Sequence, residues 1–384
     1  MIIGHPSQGY PERRNIIGRI PEYEYRLCRD RFGILRTLRA RFRLPYRPDD
    51  EFLFDDWGLS SVDLVHTFNH VVLSRRPWIA TFETWLPRLP FSWSHWSGHN
   101  VGERAEKIQN CALDALADDS CRQLIAISEA AANVQRVFLQ RHPAFSGIDS
   151  KVTILHPPQA IQVGSLPAKS PGPQIRLALV GHHFVRKGGL EVLRALADVN
   201  RERGPRFHLT IVSRISRDGH FVHPASEPER AALEQIQALQ PMVTHHRELA
   251  AAEVLELFKA SDIALLPSFA ETYGYSVLEA QACGTPVITT NVRSFPEINN
   301  EQCGWIIPLA LNERRDAALA TAEERLRASD MLVDGLRAVL CKIDDDRSCV
   351  DRKGLASLER IQRQHAPDEF AAKLKTIYAA AVRA

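Results

Sequence analysis

The sequence has no run of apolar residues approaching the ~20 that a membrane-crossing helix needs, which argues against an integral helical membrane protein. Its start, MIIGHPSQGYPERR, lacks the long apolar core and cleavage site of a secretory signal, so the chain is expected to be cytoplasmic. The seven cysteines (Cys28, Cys111, Cys121, Cys283, Cys303, Cys341 and Cys349) are odd in number, and no two stand in a C-x-x-C spacing. That pattern speaks for reduced thiols rather than a disulfide frame or a zinc site. Net charge is only +2, too little to argue for a nucleic-acid partner. No internal repeat, low-complexity tract or Ser/His/Asp set for nucleophilic catalysis stands out.

What is present is an ordinary globular balance, 45% hydrophobic and 24% charged over 384 residues. That length predicts two domains. The clearest break is HPPQAIQVGSLPAKSPGPQ over 156–174, with five prolines and two glycines. It is expected to connect a first domain at 1–160 to a second at 175–362, the linker proper being 161–174. A C-terminal helix at 363–384, apolar at helical spacing through Phe370, Leu374, Ile377 and Tyr378, must dock somewhere and is expected back on the first domain. Short apolar runs alternate with helical patterns on both sides of the break. VDLVH (62–66), WIATF (78–82), RQLIAIS (122–128) and Val152–Leu155 come before it. IRLALV (175–180), Phe207–Val212, IALLP (263–267) and PVITT (286–290) follow it, with helices at 190–199, 228–239 and 275–282. Strand–helix alternation of this kind means α/β architecture, two doubly wound Rossmann-like domains expected to face each other across a cleft.

Charge is uneven locally. Between Arg13 and Arg47 there are eleven arginines against Glu22, Glu24 and Asp30. The stretch is either a helical face salt-bridged within its own domain or a contact for anionic membrane at the inner face or for a phosphorylated acceptor.

The most informative segment is SFAETYGYSVLEAQACGTP, 268–286. It follows a buried strand and opens a helix. Gly274 stands just before the helix, where the absence of a side chain admits a ligand to the backbone. The helix start offers N–H groups and partial positive charge to a phosphate. Glu271 in the loop and Glu279 one turn into the helix are carboxylates, each able to accept two hydroxyl hydrogen bonds from a vicinal diol. Upstream, LVGHHFVRKGGLEVLRAL (179–196) places Arg186 and Lys187 after a strand and glycine turn, fixed cations suited to a diphosphate.

Glu271-x7-Glu279 with Ala280, Ala282, Cys283, Gly284, Thr285 and Pro286 resembles the E-x7-E signature of GT4-family retaining glycosyltransferases (glycosyltransferase group 1). The approach through Ser261, Asp262 and ALLPS agrees, as do VITTNVRSFPEI with Pro296 and Glu297 and the turn at Gly304. VDLVHTFNH, PWIATFETW, LIAISEAAANVQRVFLQ and KVTILHPP extend the likeness to roughly residues 60–310. The resemblance implies a GT-B fold and a hexosyltransferase-like enzyme taking a nucleotide-diphosphate sugar and an acceptor hydroxyl, with no metal and no cofactor. It implies Glu271, Lys187, Arg186 and, by position, Glu83 as catalytic residues. Glu279, Gly274, Tyr273, Tyr275, Ser276, Val277, Gly181 and His182 are the implied donor-binding residues, and Gly9 the counterpart of the family's first glycine loop.

The chain departs from the family at two points. Many relatives carry a histidine where PWIATFETW has Glu83, with His66 and His70 as nearby alternatives. The family often has an arginine two positions after the strand, where this chain has His182 and His183. Blander roles stand beside these expectations: Glu83 paired with Arg88 or with an arginine of the first sixty residues, and Arg186 and Lys187 as solvated turn cations. His182–His183 and His245–His246 are expected in loops, and Asp55–Asp56 and Asp344–Asp346 as solvated helix ends. Trp85, Phe91, Trp93 and Trp96 form an acceptor platform or part of a core. A catalytically silent GT-B module binding nucleotide sugar or a protein, and a nucleotide-sugar epimerase, are the competing functions.

Overall fold

The computed structural model describes residues 1–45, 47, 51–89, 102–140, 142–167, 172–216 and 221–383. The chain divides into two compact units. Met1–Pro158 with Ala366–Ala384 form the first, and Gln159–His365 the second.

In the first unit the strands are β1 (Ile2–His5), β2 (Glu24–Leu27), β4 (Leu64–Phe68), β6 (Trp78–Phe82), β7 (Cys121–Ala126) and β8 (Val152–Ile154). They form a parallel sheet in the order β2-β1-β4-β6-β7-β8. A two-stranded patch, β3 (Leu53–Phe54) with β5 (Val71–Val72), lies apart from it. The helices are α1 (Tyr10–Asn15), α2 (Arg31–Arg41), α3 (Glu103–Ala117), α4 (Glu129–Leu139) and α5 (Phe145–Asp149).

Alternation along the strands explains why both sheet faces are covered. Leu64, Ile79 and Ile125 point into one cluster, and Val65, Trp78, Ala80, Leu124 and Ala126 into the other. Side chains two apart share a face. The first cluster is closed by the C-terminal helix, here α13 (Pro367–Arg383), through Phe370, Leu374, Tyr378 and Ala381. Those positions recur at helical spacing. The Tyr378 hydroxyl lies 2.7 Å from His66 Nδ1, and His66 Nε2 lies 2.8 Å from Thr81 Oγ1, all three groups buried.

Burial pushes the His66 pKa down from 6.5 to about 3, the nearby His5 adding to the shift. The unfolded chain therefore takes up a proton that folded His66 refuses. Stability is lost as pH falls below 6.5, by ~2 kcal/mol at pH 5 from this group alone. Urea unfolding at pH 7.5 and pH 5 is expected to show that loss, and His66→Asn to reduce it; equal midpoints at the two pH values would contradict it.

The second unit holds β9 (Ile175–Val180), β10 (Phe207–Val212), β11 (Val243–His246), β12 (Ile263–Leu266), β13 (Val287–Thr290) and β14 (Gly304–Ile307). All pairs are parallel, in the order β11-β10-β9-β12-β13-β14. Its helices are α6 (Gly189–Arg203), α7 (Pro228–Ala238), α8 (Ala251–Ala260), α9 (Tyr275–Ala282), α10 (Phe295–Ile298), α11 (Ala322–Asp345) and α12 (Ser348–Gln364). Helix α11 starts with a capping box, Thr321 accepting from the Glu324 N–H while Glu324 accepts from the Thr321 N–H. Order reverses between β9 and β12, where loops leave in opposite directions and open a crevice at the carboxyl ends of the strands. In the first unit the same reversal falls between β1 and β4.

Three sequence expectations need correction. Asp55 and Asp56 are not a solvated helix end. Both are buried, Asp56 accepting from the Gly58 and Ser60 N–H groups and facing Arg76, Asp55 paired with Arg31. Asp344 does end a helix, but its carboxylate is enclosed by Arg203, Arg206 and Arg347. His245 and His246 close strand β11 rather than sit in a loop, His245 bonding the Ser213 carbonyl at 2.8 Å.

Candidate active site

The loops after β9 and β12 meet at the crevice of the second unit. Lys187, in the turn between β9 and α6, donates to Glu271 Oε2 at 2.5 Å. Both side chains are mostly enclosed, at 13% and 15% exposure. The lysine stem runs over Gly181, where a Cβ would sit 2.8 Å from Lys187 Cδ and Cε. Glycine at the end of β9 is what lets the amine cross to the other loop. The Thr272 N–H donates to Glu271 Oε1 at 3.1 Å. Burial raises the Glu271 pKa, but the Lys187 charge and hydrogen bond, the Thr272 N–H and the Arg186 charge outweigh it. The carboxyl is held below its ordinary range and stays ionised.

Gly274 caps α9 with φ +96°, and a Cβ there would meet the Phe295 ring at 2.6 Å. Both the backbone conformation and the close ring require glycine. Tyr273 is fully buried, its carbonyl accepting from Ser294 Oγ at 2.7 Å. Along α9, Val277, Leu278, Ala280, Gln281 and Ala282 are buried, while Tyr275, Ser276 and Glu279 are partly open. One face of the helix's first turn and a half therefore carries a phenol, a hydroxyl and a carboxylate, beside N–H groups that no helical carbonyl can reach. Arg186 is partly open next to Lys187, and its carbonyl accepts from the Phe269 N–H at 2.9 Å, tying the two loops together. His182 and His183 are exposed in the turn, His183 at φ +63°.

The structure thus brings Gly181, Arg186 and Lys187 to the same crevice as Glu271 and to the loop that opens α9, on which Tyr273–Val277 and Glu279 lie. Glu83 belongs to the first unit, at the end of β6. There Asn69 Nδ2 donates to Glu83 Oε1 at 3.2 Å, Asn69 Oδ1 accepts from the Glu83 N–H at 3.1 Å, and Arg88 forms an ion pair with the same carboxylate. His70, beside it, bonds the Phe68 carbonyl at 2.6 Å, and His5 at the end of β1 bonds the Ser7 carbonyl at 2.8 Å. Gly9 precedes α1 with a Cβ position 2.9 Å from Glu12 Oε2. His66 is committed to Tyr378 and Thr81 inside the sheet. Trp85 packs against Phe138 in the core; Phe91, Trp93 and Trp96 lie outside the described residues. Among the described residues, no three His, Cys, Asp or Glu side chains are grouped to hold a metal ion.

Sequence reasoning missed Asn69, although an asparagine just after a strand is a signal for the left-handed turn it adopts at φ +61°.

Two doubly wound parallel units in one chain give the GT-B fold of glycosyltransferases. The Anabaena protein HepE, solved in complex with UDP, superposes with a TM-score of 0.61 over 99% of both chains at 13% identity. Residues 167–328 match the family described as glycosyl transferases group 1. Curated relatives include D-inositol 3-phosphate glycosyltransferases. The protein from Paenarthrobacter aurescens is 34% identical over 114 residues, 28% of this chain and 25% of its own. That from Saccharomonospora viridis is 26% identical over 302 residues, 74% of this chain and 61% of its own. The alignments therefore span less than two thirds of these relatives.

Proposed function

We propose that the protein transfers a sugar from a nucleotide-diphosphate donor to an acceptor hydroxyl with retention of configuration, as a GT4-type enzyme and without a metal ion. The observation that carries this reading is the Lys187–Glu271 pair across the β9/β12 reversal, beside the α9 N-terminus and its open Ser276–Glu279 face. In this reading Lys187 and Arg186 neutralise the departing diphosphate together with the helix N–H groups, the role a metal would otherwise fill. Glu279 takes the ribose hydroxyls. Glu271, kept ionised by Lys187, accepts from the sugar hydroxyls. The acceptor attacks from the face the leaving group vacates, and a phosphate oxygen takes its proton, so no protein nucleophile is needed. Glu83 is the acceptor-side acid, held by Asn69 and Arg88.

UDP bound to HepE makes UDP-sugars the first donors to try, and the relatives' names make a phosphorylated polyol the first acceptor class. The test is a donor panel with such acceptors, reading nucleotide release and the anomeric configuration of the product by NMR. An inverted product would refute retention. A changed sugar still on its nucleotide would mean an epimerase, and binding without release from any pair would favour a silent module.

The arginine-rich stretch enters this reading as an acceptor-side contact with anionic membrane from the cytoplasmic side. Among the described residues, no helix is long and apolar enough to cross a bilayer. Helix α2 is anchored by its Asp30 cap and by Phe32, the only one of its residues that is buried. Ile34, Leu35, Leu38 and the flanking Phe42 lie within one 100° stripe facing outward, 40–66% exposed. Arg39 and Arg41 flank that stripe on the helix, and Arg43 follows its C-cap. A cationic helix with its apolar side turned to solvent suits an anionic interface. Vesicles containing phosphatidylglycerol are expected to sediment the protein, and neutral phosphatidylcholine vesicles not. Replacing Arg39, Arg41 and Arg43 by Gln is expected to weaken binding on the order of a hundredfold, at ~1 kcal/mol per charge. Equal sedimentation with both lipids would remove the membrane contact.

A further inference from the structure

The β10–α7 connection re-enters the described structure at Phe221 and makes two grips on the second unit. The first is polar. His223 Nδ1 accepts from the Ala225 N–H at 3.0 Å, so Nε2 carries the ring proton and donates to Glu191 Oε1 at 2.8 Å. Glu191 is completely buried on the first turn of α6. Ser329 Oγ donates to the same oxygen at 2.6 Å, and Arg194 donates to Ser329 at 3.2 Å. A carboxylate at a helix N-terminus gains from the helix dipole, but its burial requires these donors. Glu191 Oε2 has no hydrogen-bond partner among the described residues, a cost seldom kept without a role. The second grip is apolar. Phe221 stacks on Phe269 with ring centroids 5.5 Å apart and planes at 24°.

The two grips fall on the two arms of the candidate site. Glu191 lies four residues after Lys187, and Phe269 two residues before Glu271. One connection therefore braces both sides of the Lys187–Glu271 pair, while His223 touches neither member. We propose that His223, through Glu191, is a positioning residue that fixes Lys187 for the donor diphosphate, with Phe221 on Phe269 fixing the opposite arm. The proposal rests on the reading that Lys187 binds that diphosphate.

The test is calorimetric titration of the full chain with UDP, GDP and ADP, the tightest binder serving as probe. His223→Gln can still donate to Glu191 from its amide nitrogen. His223→Asn offers an acceptor to Ala225 but no donor that reaches Glu191, and His223→Ala offers neither. Nucleotide affinity is expected to hold in the glutamine variant and to fall about tenfold in the other two, as for a displaced binding group. Phe221→Leu, which leaves the His223 bond in place, is expected to weaken binding similarly. Lys187→Ala is the control. If it leaves affinity unchanged, the donor site itself is misassigned. If it weakens binding while the Asn and Leu variants bind like wild type, or if the Gln and Asn variants are equally weak, the positioning role is overturned. Should the alanine variant fail to fold, the Gln–Asn comparison and Phe221→Leu still decide.

Discussion

Replacing Lys187 by alanine is expected to lower nucleotide-sugar turnover by about 10²–10³-fold, the loss typical of one preorganised charge aimed at a developing negative centre. Lys187 sits in a mostly enclosed crevice beside the α9 N-terminus, where charge is weakly screened. Its removal also leaves Glu271 enclosed without its cation. Burial, already the largest influence on that carboxyl, would then act less opposed and raise its pKa toward protonation. The double variant Lys187→Ala, Glu271→Gln is therefore expected to be more stable than Lys187→Ala alone while remaining inactive. Thermal unfolding and donor turnover of the three proteins check both statements. Turnover of Lys187→Ala within threefold of wild type would contradict the first.

Tyr378→Ala is expected to destabilise the first unit by ~4 kcal/mol, within the usual range for deleting a buried aromatic ring. Tyr378 is completely buried under the sheet, with its hydroxyl on His66. The alanine variant leaves a cavity and strands the histidine. Tyr378→Phe removes only the hydrogen bond and is expected to cost ~1–2 kcal/mol. Urea unfolding of both proteins measures the difference. Equal, small effects would mean that α13 contributes little to this core, against its four side chains in the cluster.

Central parallel strands are mostly apolar, so WIATF, IRLALV and Phe207–Val212 were legible in the sequence to the residue. The helix at Tyr275–Ala282 was equally legible, because Gly274 marks its start and Cys283–Gly284 its end. Edge and peripheral elements were not. Strand β2 has an exposed, charged sequence, EYRL, that reads as strand only once it pairs with β1. Helix α2 buries almost nothing, so its apolar residues have no inward periodicity to detect. In the site, the cations and acids of the second unit follow from their places around a strand end and a helix start. The ion pair of Glu83 with Arg88, five residues on, was legible, whereas its fixing by Asn69 and the grip of His223 on Glu191 depend on contacts 14 and 32 residues apart in sequence that no local pattern encodes. Asp55 and Asp56 were misjudged for the same reason, since Arg31 and Arg76, their partners, come from other elements.

The central claim is sugar transfer driven by fixed protein cations at the Lys187–Glu271 crevice. It is tested most directly by nucleotide release from a UDP-, GDP- and ADP-sugar panel with a phosphorylated polyol acceptor, in the presence of a strong chelator. The account predicts release from one donor at the same rate with and without chelator, lost in Lys187→Ala and Glu279→Ala. Release that stops on chelation and returns with added divalent metal, or that persists in Lys187→Ala, would contradict it.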